Sequence, residues 1–215
     1  MRAAVLNAYN EPLVIEELDD PPLGPRDVRV QIDASGVCHS DLTVQNGGVP
    51  MPVPIVLGHE ATGTVLETGP EVSRVRNGDR VIASFIPACG NCFHCLHDES
   101  NLCERGNELM IATRAMRDDG SSVFGMTGLG TFADRMTADE ASLVKVETDL
   151  PSEQLALIGC GVTTGVGAAL MTAKVKPGST VAVIGCGGVG QSVIQDARIA
   201  GASRIFAIDP VEMKR

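Results

Sequence analysis

The chain has 215 residues, 44% of them apolar, with 17 Lys and Arg against 27 Asp and Glu for a net charge of -10. This apolar content supports a globular core and argues against disorder, and no apolar stretch approaches the ~18 residues that a membrane span needs. The acidic balance disfavours a nucleic-acid partner, because a phosphate backbone rewards the opposite sign. Seven cysteines follow an N-terminus with no apolar export signal, which points to a reducing, cytoplasmic compartment and to metal rather than disulfides.

From Met1 to about Leu150 the pattern is short strands with turn punctuation. Val28, Val30 and Ile32 alternate with polar neighbours, and further strand-like runs cover residues 3–6, 13–17, 62–68 and 80–84. Breakers at Pro21-Pro22-Leu23-Gly24-Pro25, Gly69-Pro70 and Asn77-Gly78-Asp79 separate them. This predicts a mostly β barrel or sandwich. Residues 104–130, with Arg117-Asp-Asp-Gly-Ser-Ser122 and several glycines, read as a long surface loop.

Within that region Cys89, Cys92, Cys95 and Cys103 form C-x2-C-x2-C-x7-C. Four thiolates at this spacing can converge on one ion at about 2.3 Å each, the closed tetrahedral arrangement of a structural zinc. A disulfide framework would need an oxidising compartment. An iron-sulfur run would bring its fourth cysteine closer and follow it with proline, whereas Glu104 follows here. A nucleic-acid-binding ribbon would want basic surroundings, but Asp98, Glu99 and Glu104 lie in or beside the lobe.

After Pro151 the texture changes. Residues 162–174 are rich in small helix-compatible residues, although Gly165 and Gly167 weaken the first turns, and Pro177-Gly178 makes a turn. Residues 180–184 read as a buried parallel strand, 189–200 as an amphipathic helix stopped by Gly201, and 204–208 as a second strand. A β domain over 1–150 is therefore followed by the start of an α/β domain over 151–215.

Gly185-Cys-Gly-Gly-Val-Gly190 matches G-x-G-x-x-G between that strand and helix, with Asp209 at the tip of the next strand. Glycines permit the tight turn and close backbone approach, the helix N-terminus favours a pyrophosphate, and the acid accepts hydrogen bonds from ribose hydroxyls. Asp209 would repel the extra phosphate of NADP, so NAD is expected; the competing reading is a plain strand-helix-strand turn. Cys38, His59 and Cys160 suit a second metal site, since two thiolates and an imidazole leave a fourth tetrahedral position open. Taken singly, each reads equally well as a buried thiol or a satisfied histidine.

Together these motifs closely resemble the zinc-dependent alcohol dehydrogenases of the medium-chain dehydrogenase/reductase family. The resemblance runs from about residue 2 to the last residue and rests on Gly36-Val-Cys-His-Ser-Asp41, Gly58-His-Glu60, the four-cysteine lobe, Gly159-Cys-Gly-Val-Thr-Thr-Gly165, the glycine hexapeptide and Asp209. It implies a GroES-like β-barrel catalytic domain over 1–150, carrying a structural zinc lobe at 86–105. The first part of a Rossmann-type NAD-binding domain, truncated, would follow over 151–215. It further implies interconversion of alcohols with aldehydes or ketones by hydride transfer to NAD, two zinc ions per chain, and a homo-oligomeric full-length parent. Cys38, His59 and Cys160 would hold the catalytic zinc, as in the Cys2His set known for alcohol dehydrogenase. Ser40 would accept the alcohol proton, Asp41 would orient His59, and Glu60 would lie behind the metal.

For the cofactor, the resemblance implicates Thr164, Gly185, Gly187, Gly188, Val189, Gly190 and Asp209. His39 matches a pyrophosphate contact and Lys214 a second ribose contact, against readings as a surface imidazole and a solvated lysine. Phe85 matches a pocket wall, although an apolar residue there could equally be core. His94 and His97 match nothing assignable.

Two departures stand out. Thr43 occupies the position where many relatives carry a proton-relay histidine, and the chain stops at Arg215 inside the first mononucleotide half, which reads as a fragment. Three other functions compete: oxidation of a thiol adduct of formaldehyde, a zinc-binding module without catalysis, and a quinone reductase. The last belongs to a branch that usually lacks both zinc sites.

Overall fold

The computed structural model describes residues 1–214, and its chain divides into two compact units, Met1–Gly159 and Cys160–Arg215. This division falls later than the change in texture at Pro151. In the first unit the elements are β1 (Arg2–Leu6), β2 (Val14–Glu17), β3 (Asp27–Ser35), α1 (His39–Gln45), β4 (Ile55–Val56), β5 (Ala61–Thr68) and β6 (Arg80–Ala83). They continue with α2 (Phe93–Leu96), α3 (Gly106–Met110), β7 (Thr113–Met116), β8 (Ser122–Gly125), β9 (Arg135–Asp139), β10 (Leu143–Lys145) and α4 (Ser152–Ala156).

The strands form two five-stranded sheets, β2-β1-β4-β8-β7 and β10-β6-β5-β3-β9. Every pairing in the second sheet is antiparallel, whereas the first includes the parallel pair β4 and β8. The alternation read in β3 is real: Val28 and Val30 have no exposed surface and pack with Val65, Val81 and Met136 between the strands. A bridge between Ala3 and Ala133, with the Ala4 N–H donating to the Phe132 carbonyl at 2.8 Å, stitches one sheet to the other and curls the pair into a half-barrel.

The expected surface loop over 104–130 is corrected by the structure. Its polar centre is indeed a turn, closed by the Arg117 N–H on the Ser121 carbonyl at 3.0 Å. Its flanks, however, are β7 and β8, whose Ala115 and Val123 are fully buried in the first sheet's core. Arg114 is buried as well because its Nε donates to the Gly128 carbonyl at 2.8 Å and its guanidinium meets Asp27. Four-residue strands carrying Arg, Thr and Ser offer too little periodicity to be read from sequence.

The second unit contains α5 (Gly161–Val166), prolonged by a π-turn over Gly167–Thr172, then β11 (Thr180–Ile184), α6 (Gly188–Ile199) and β12 (Arg204–Ile208). β11 and β12 are parallel from Thr180 opposite Arg204 to Ile184 opposite Ile208, so the strand-helix-strand reading holds. The expected burial of 180–184 is corrected, because among the described residues β12 is the one strand paired with β11, leaving Val183 buried and Ile184 83% exposed. Glu212–Lys214 form one 3-10 turn, and Arg215 lies outside the described residues. Among the described residues no single helix is long and apolar enough to cross a membrane.

Candidate functional site

The segment Gly36–Asp41 leaves β3 and turns into α1. Val44 of α1 anchors that helix among Leu6, Ile55, Leu57 and Met126, which fixes the position of its first turn. Cys38 is the N-cap, and Asp41, on the first turn, folds its carboxylate back: Oδ2 accepts the Cys38 N–H at 2.8 Å. Oδ1 of the same carboxylate accepts the Gly58 N–H and the His59 Nδ1–H, each at 3.1 Å. A carboxylate can only accept, so Nδ1 carries the proton and Nε2 is left as the basic nitrogen of His59.

His59 is 2% exposed, and Phe85 meets its ring edge-on at 5.6 Å. The donor atoms of Cys38, His59 and Glu60 all lie within 4.8 Å of one another. Burial raises the Cys38 thiol pKa, but the Ser40 N–H and hydroxyl together with His59 outweigh it and pull the thiol below its usual range. A thiol biased toward thiolate and an imidazole with its tautomer fixed suit a zinc ion.

Beside these groups is a cavity of about 240 Å³ with a largely apolar lining: Val44, Val49, Met51, Phe85, Met110 and Met126 wall it, and Ser40, Thr43, His59 and Thr127 supply its polar atoms. Thr43 Oγ1 donates to the His39 carbonyl at 3.0 Å and lies 3.3 Å from His39 Nδ1.

In the four-cysteine lobe all donor sulfurs also fall within 4.8 Å of one another. Sulfurs held at about 2.3 Å around one tetrahedral ion stand about 3.8 Å apart, whereas disulfide sulfurs are about 2.05 Å apart. Cys89 and Cys95 Sγ are separated by 3.9 Å, and every cysteine of the chain is a free thiol. The Cys92 thiol is pulled down to about 6, chiefly by the backbone N–H groups of Glu104 and Cys95. Cys95 is pushed up to about 11: the Gly90 N–H favours its thiolate, but burial and the sulfurs of Cys92, Cys103 and Cys89 outweigh it. Four sulfurs this close cannot all carry charge without a cation among them, so donor set and geometry fit Zn2+.

In the second unit Gly185 has φ +96, and a Cβ on Gly190 would come within 1.9 Å of the Gly185 carbonyl oxygen, which is why both positions need glycine. Asp209 reaches back to this loop. Its Oδ2 accepts the Cys186 N–H and its Oδ1 the Val211 N–H, each at 2.8 Å.

The sequence matches the family described as alcohol dehydrogenase GroES-like domain over residues 24–148, more than half of the chain. The chain belongs to this alcohol dehydrogenase family. Alcohol dehydrogenase B of Mycobacterium tuberculosis is 40% identical over 222 residues, covering 100% of this chain and 59% of the relative. An alcohol dehydrogenase zinc-binding domain protein from Burkholderia ambifaria superposes with TM-score 0.91 at 34% identity, covering 99% of this chain and 60% of that one. Benzyl alcohol dehydrogenase from Acinetobacter calcoaceticus gives TM-score 0.87 at 33% identity, covering 99% and 59%. The chain thus spans about three-fifths of the length of these relatives.

Within this alcohol dehydrogenase fold, Cys38, Ser40, Asp41, His59, Glu60 and Phe85 come together, as do Cys89, Cys92, Cys95 and Cys103. Cys160 is buried and caps α5 at the head of the second unit, where Thr164 donates its N–H to the Cys160 carbonyl at 2.9 Å. Gly187 caps α6, Gly188 through Gly190 form its first turn, and Lys214 ends the final 3-10 turn, exposed. His94 pairs with Glu99 at 2.9 Å, and His97 stacks on Phe93, so both rings are engaged away from the sulfurs. Sequence reasoning missed Met51, Met110, Met126 and Thr127 as cavity walls. No local pattern singles them out; Thr127 sits at φ +54 within the turn over Met126–Gly128.

Proposed function

We propose that this chain forms the catalytic and first cofactor-binding segments of an NAD-dependent zinc alcohol dehydrogenase that interconverts alcohols with aldehydes or ketones. The observation that carries this reading is the pair of donors, Cys38 and His59, clamped by one carboxylate beside an apolar cavity that also holds the Ser40 hydroxyl. Cys160 is the third ligand in this reading. It is peptide-bonded to Gly159, whose Cα hydrogen faces the Ala83 carbonyl oxygen, and a Cβ there would lie 3.8 Å from the Glu60 Cα. Cys89, Cys92, Cys95 and Cys103 hold the second ion.

When bound, zinc supplies Lewis acidity toward the substrate oxygen and NAD the hydride acceptor. The remaining work belongs to the chain. Ser40 Oγ, 3.6 Å from Cys38 Sγ, takes the alcohol proton, and Asp41 keeps His59 in one tautomer. Beyond Ser40 the proton passes to water, because Thr43 stands where a relay histidine would carry it. Phe85 and the methionines hold the carbon skeleton and exclude water. Gly185, Gly187, Gly188, Val189 and Gly190 present the start of α6 to a pyrophosphate, with His39 and Thr164 as further contacts. Asp209 and Lys214 hold the ribose, and the Asp209 charge selects NAD over NADP.

Among the described residues no carboxylate or guanidinium lines the cavity, which favours uncharged alcohols over a charged thiol adduct of formaldehyde. We place the protein in the cytoplasm, in keeping with its free thiols. The test is NADH binding followed by fluorescence, together with alcohol-dependent NAD reduction, on zinc-loaded protein. A folded, zinc-loaded chain that neither binds NADH nor reduces NAD would overturn the reading in favour of a zinc-binding module.

A further inference from the structure

One short element lies between the four-cysteine lobe and the apolar cavity. It is α3, five residues long. Its start is tied to the lobe: the Gly106 N–H donates to the Cys103 carbonyl at 2.8 Å, and Arg105 donates to Asp139 Oδ2 at 2.9 Å. Its end reaches the cavity. Met110 walls both the 240 Å³ cavity beside His59 and a cleft of about 460 Å³ bounded on the lobe side by Cys103 and Glu104.

A second contact carries the position of α3 further. Leu109 is 6% exposed, and its carbonyl oxygen lies so close to Gly128 that a Cβ there would stand 1.9 Å away. Gly128 closes the turn over Met126–Gly128, in which Thr127 is held at φ +54. A β-branched residue in the left-handed region persists only where its surroundings over-determine it. Here the surroundings include the Leu109 carbonyl, and Met126 and Thr127 both line the cavity. Met51, on the same cavity, is held independently: its N–H donates to the Tyr9 hydroxyl at 2.8 Å and its carbonyl accepts from that hydroxyl.

We propose that α3 makes the four-cysteine lobe a positioning device for the apolar cavity, setting Met110 directly and the Met126–Thr127 wall through Leu109 and Gly128. The lobe thereby helps decide which uncharged carbon skeletons the cavity accepts. Arg105 is the positioning residue that locks α3 to β9, and Met110 is the specificity-determining residue. Methionine side chains are flexible and unbranched, so small displacements of α3 translate into changes of cavity shape rather than into collapse. The identity of the occupant rests on the alcohol reading above; the coupling between lobe and wall does not.

The test is methyl NMR of the zinc-loaded chain labelled at the methionine methyl groups, with each signal assigned by single Met→Leu variants. Benzyl alcohol should shift the methyls of Met51, Met110 and Met126 together; if none moves, the alcohol reading fails while the coupling is judged separately. Cys103→Ser, without alcohol, should shift Met110 and Met126 by more than a linewidth and leave Met51 in place. Arg105→Gln keeps every cysteine and should give the same pattern with smaller amplitude, with both zinc ions retained by elemental analysis. Unmoved Met110 and Met126 signals in folded Arg105→Gln protein would overturn the coupling. So would a shift of all three methyls, Met51 included.

Discussion

Asp41 and His59 share a buried hydrogen bond of 3.1 Å, and the second oxygen of the same carboxylate holds the Cys38 backbone N–H at 2.8 Å. One side chain thus fixes two donors that lie far apart in sequence. Asp41→Asn should disturb both, because an amide cannot present acceptors to the Cys38 N–H, the Gly58 N–H and the imidazole N–H together. Loss of such a supporting contact typically weakens metal affinity about 10–100-fold. Competition with a chelator should show one tightly held and one weakened zinc; unchanged affinity for both would count against the assignment.

Arg74 performs a comparable service for the lobe. It donates to the Ala88 carbonyl at 2.8 Å and to the Cys89 carbonyl at 2.6 Å, clamping the chain where it enters the cysteine cluster. Arg74→Met removes both bonds. With ~1.5 kcal/mol for each charge-assisted hydrogen bond, and so about 3 kcal/mol for the two, metal release from the lobe should accelerate on the order of a hundredfold. Release into a chromogenic chelator measures this rate, and wild-type kinetics would show that the clamp is idle.

Glu140 supplies the clearest pH dependence. Its side chain is 2% exposed; Oε2 accepts the Ser73 and Arg74 N–H groups at 2.8 and 3.0 Å, and Oε1 meets Arg26 at 3.2 Å. Burial raises its pKa, but those two N–H groups and Arg26 outweigh burial and hold it below the ordinary 4.5. A carboxyl group whose pKa is depressed on folding contributes stability above its unfolded pKa, and that stability is lost as pH falls through the folded value. Glu140→Gln should therefore destabilise by about 1–3 kcal/mol at neutral pH, a gap that narrows as the pH is lowered below 4.5. Urea midpoints across the acid range decide the matter. A gap that stays constant with pH contradicts the ion-pair account.

Thr43 stands where many zinc alcohol dehydrogenases carry a relay histidine, and its hydroxyl lies 3.3 Å from His39 Nδ1. Thr43→His should add a group titrating near ~6.5 to the pH dependence of alcohol oxidation. Profiles of the two proteins that superimpose would mean that the proton leaves by another route.

Much of this architecture can be read locally. The glycine hexapeptide and the four cysteines are legible because backbone sign, close approach and sulfur chemistry restrict residue type within a few positions, as Gly185 and Gly190 illustrate. The β3 alternation is legible for the same reason: a strand buried on one face repeats every two residues. Cys38 and His59 become neighbours only through the packing of α1 against the first sheet, so spacing cannot group them, and the family resemblance did that instead. Glu140 reads as an ordinary acid until two backbone N–H groups from a loop far away in sequence are found on it. Met110 and Thr127 belong to a region whose four-residue strands carry too few apolar positions to reveal a period.

The most direct test of the whole account is zinc per chain, by elemental analysis, on the wild-type chain beside Cys38→Ser and Cys103→Ser. Two zinc ions in the wild type and one in each variant are predicted. A wild-type chain holding one zinc or none, or a Cys38→Ser variant that still holds two, would contradict the two-site reading.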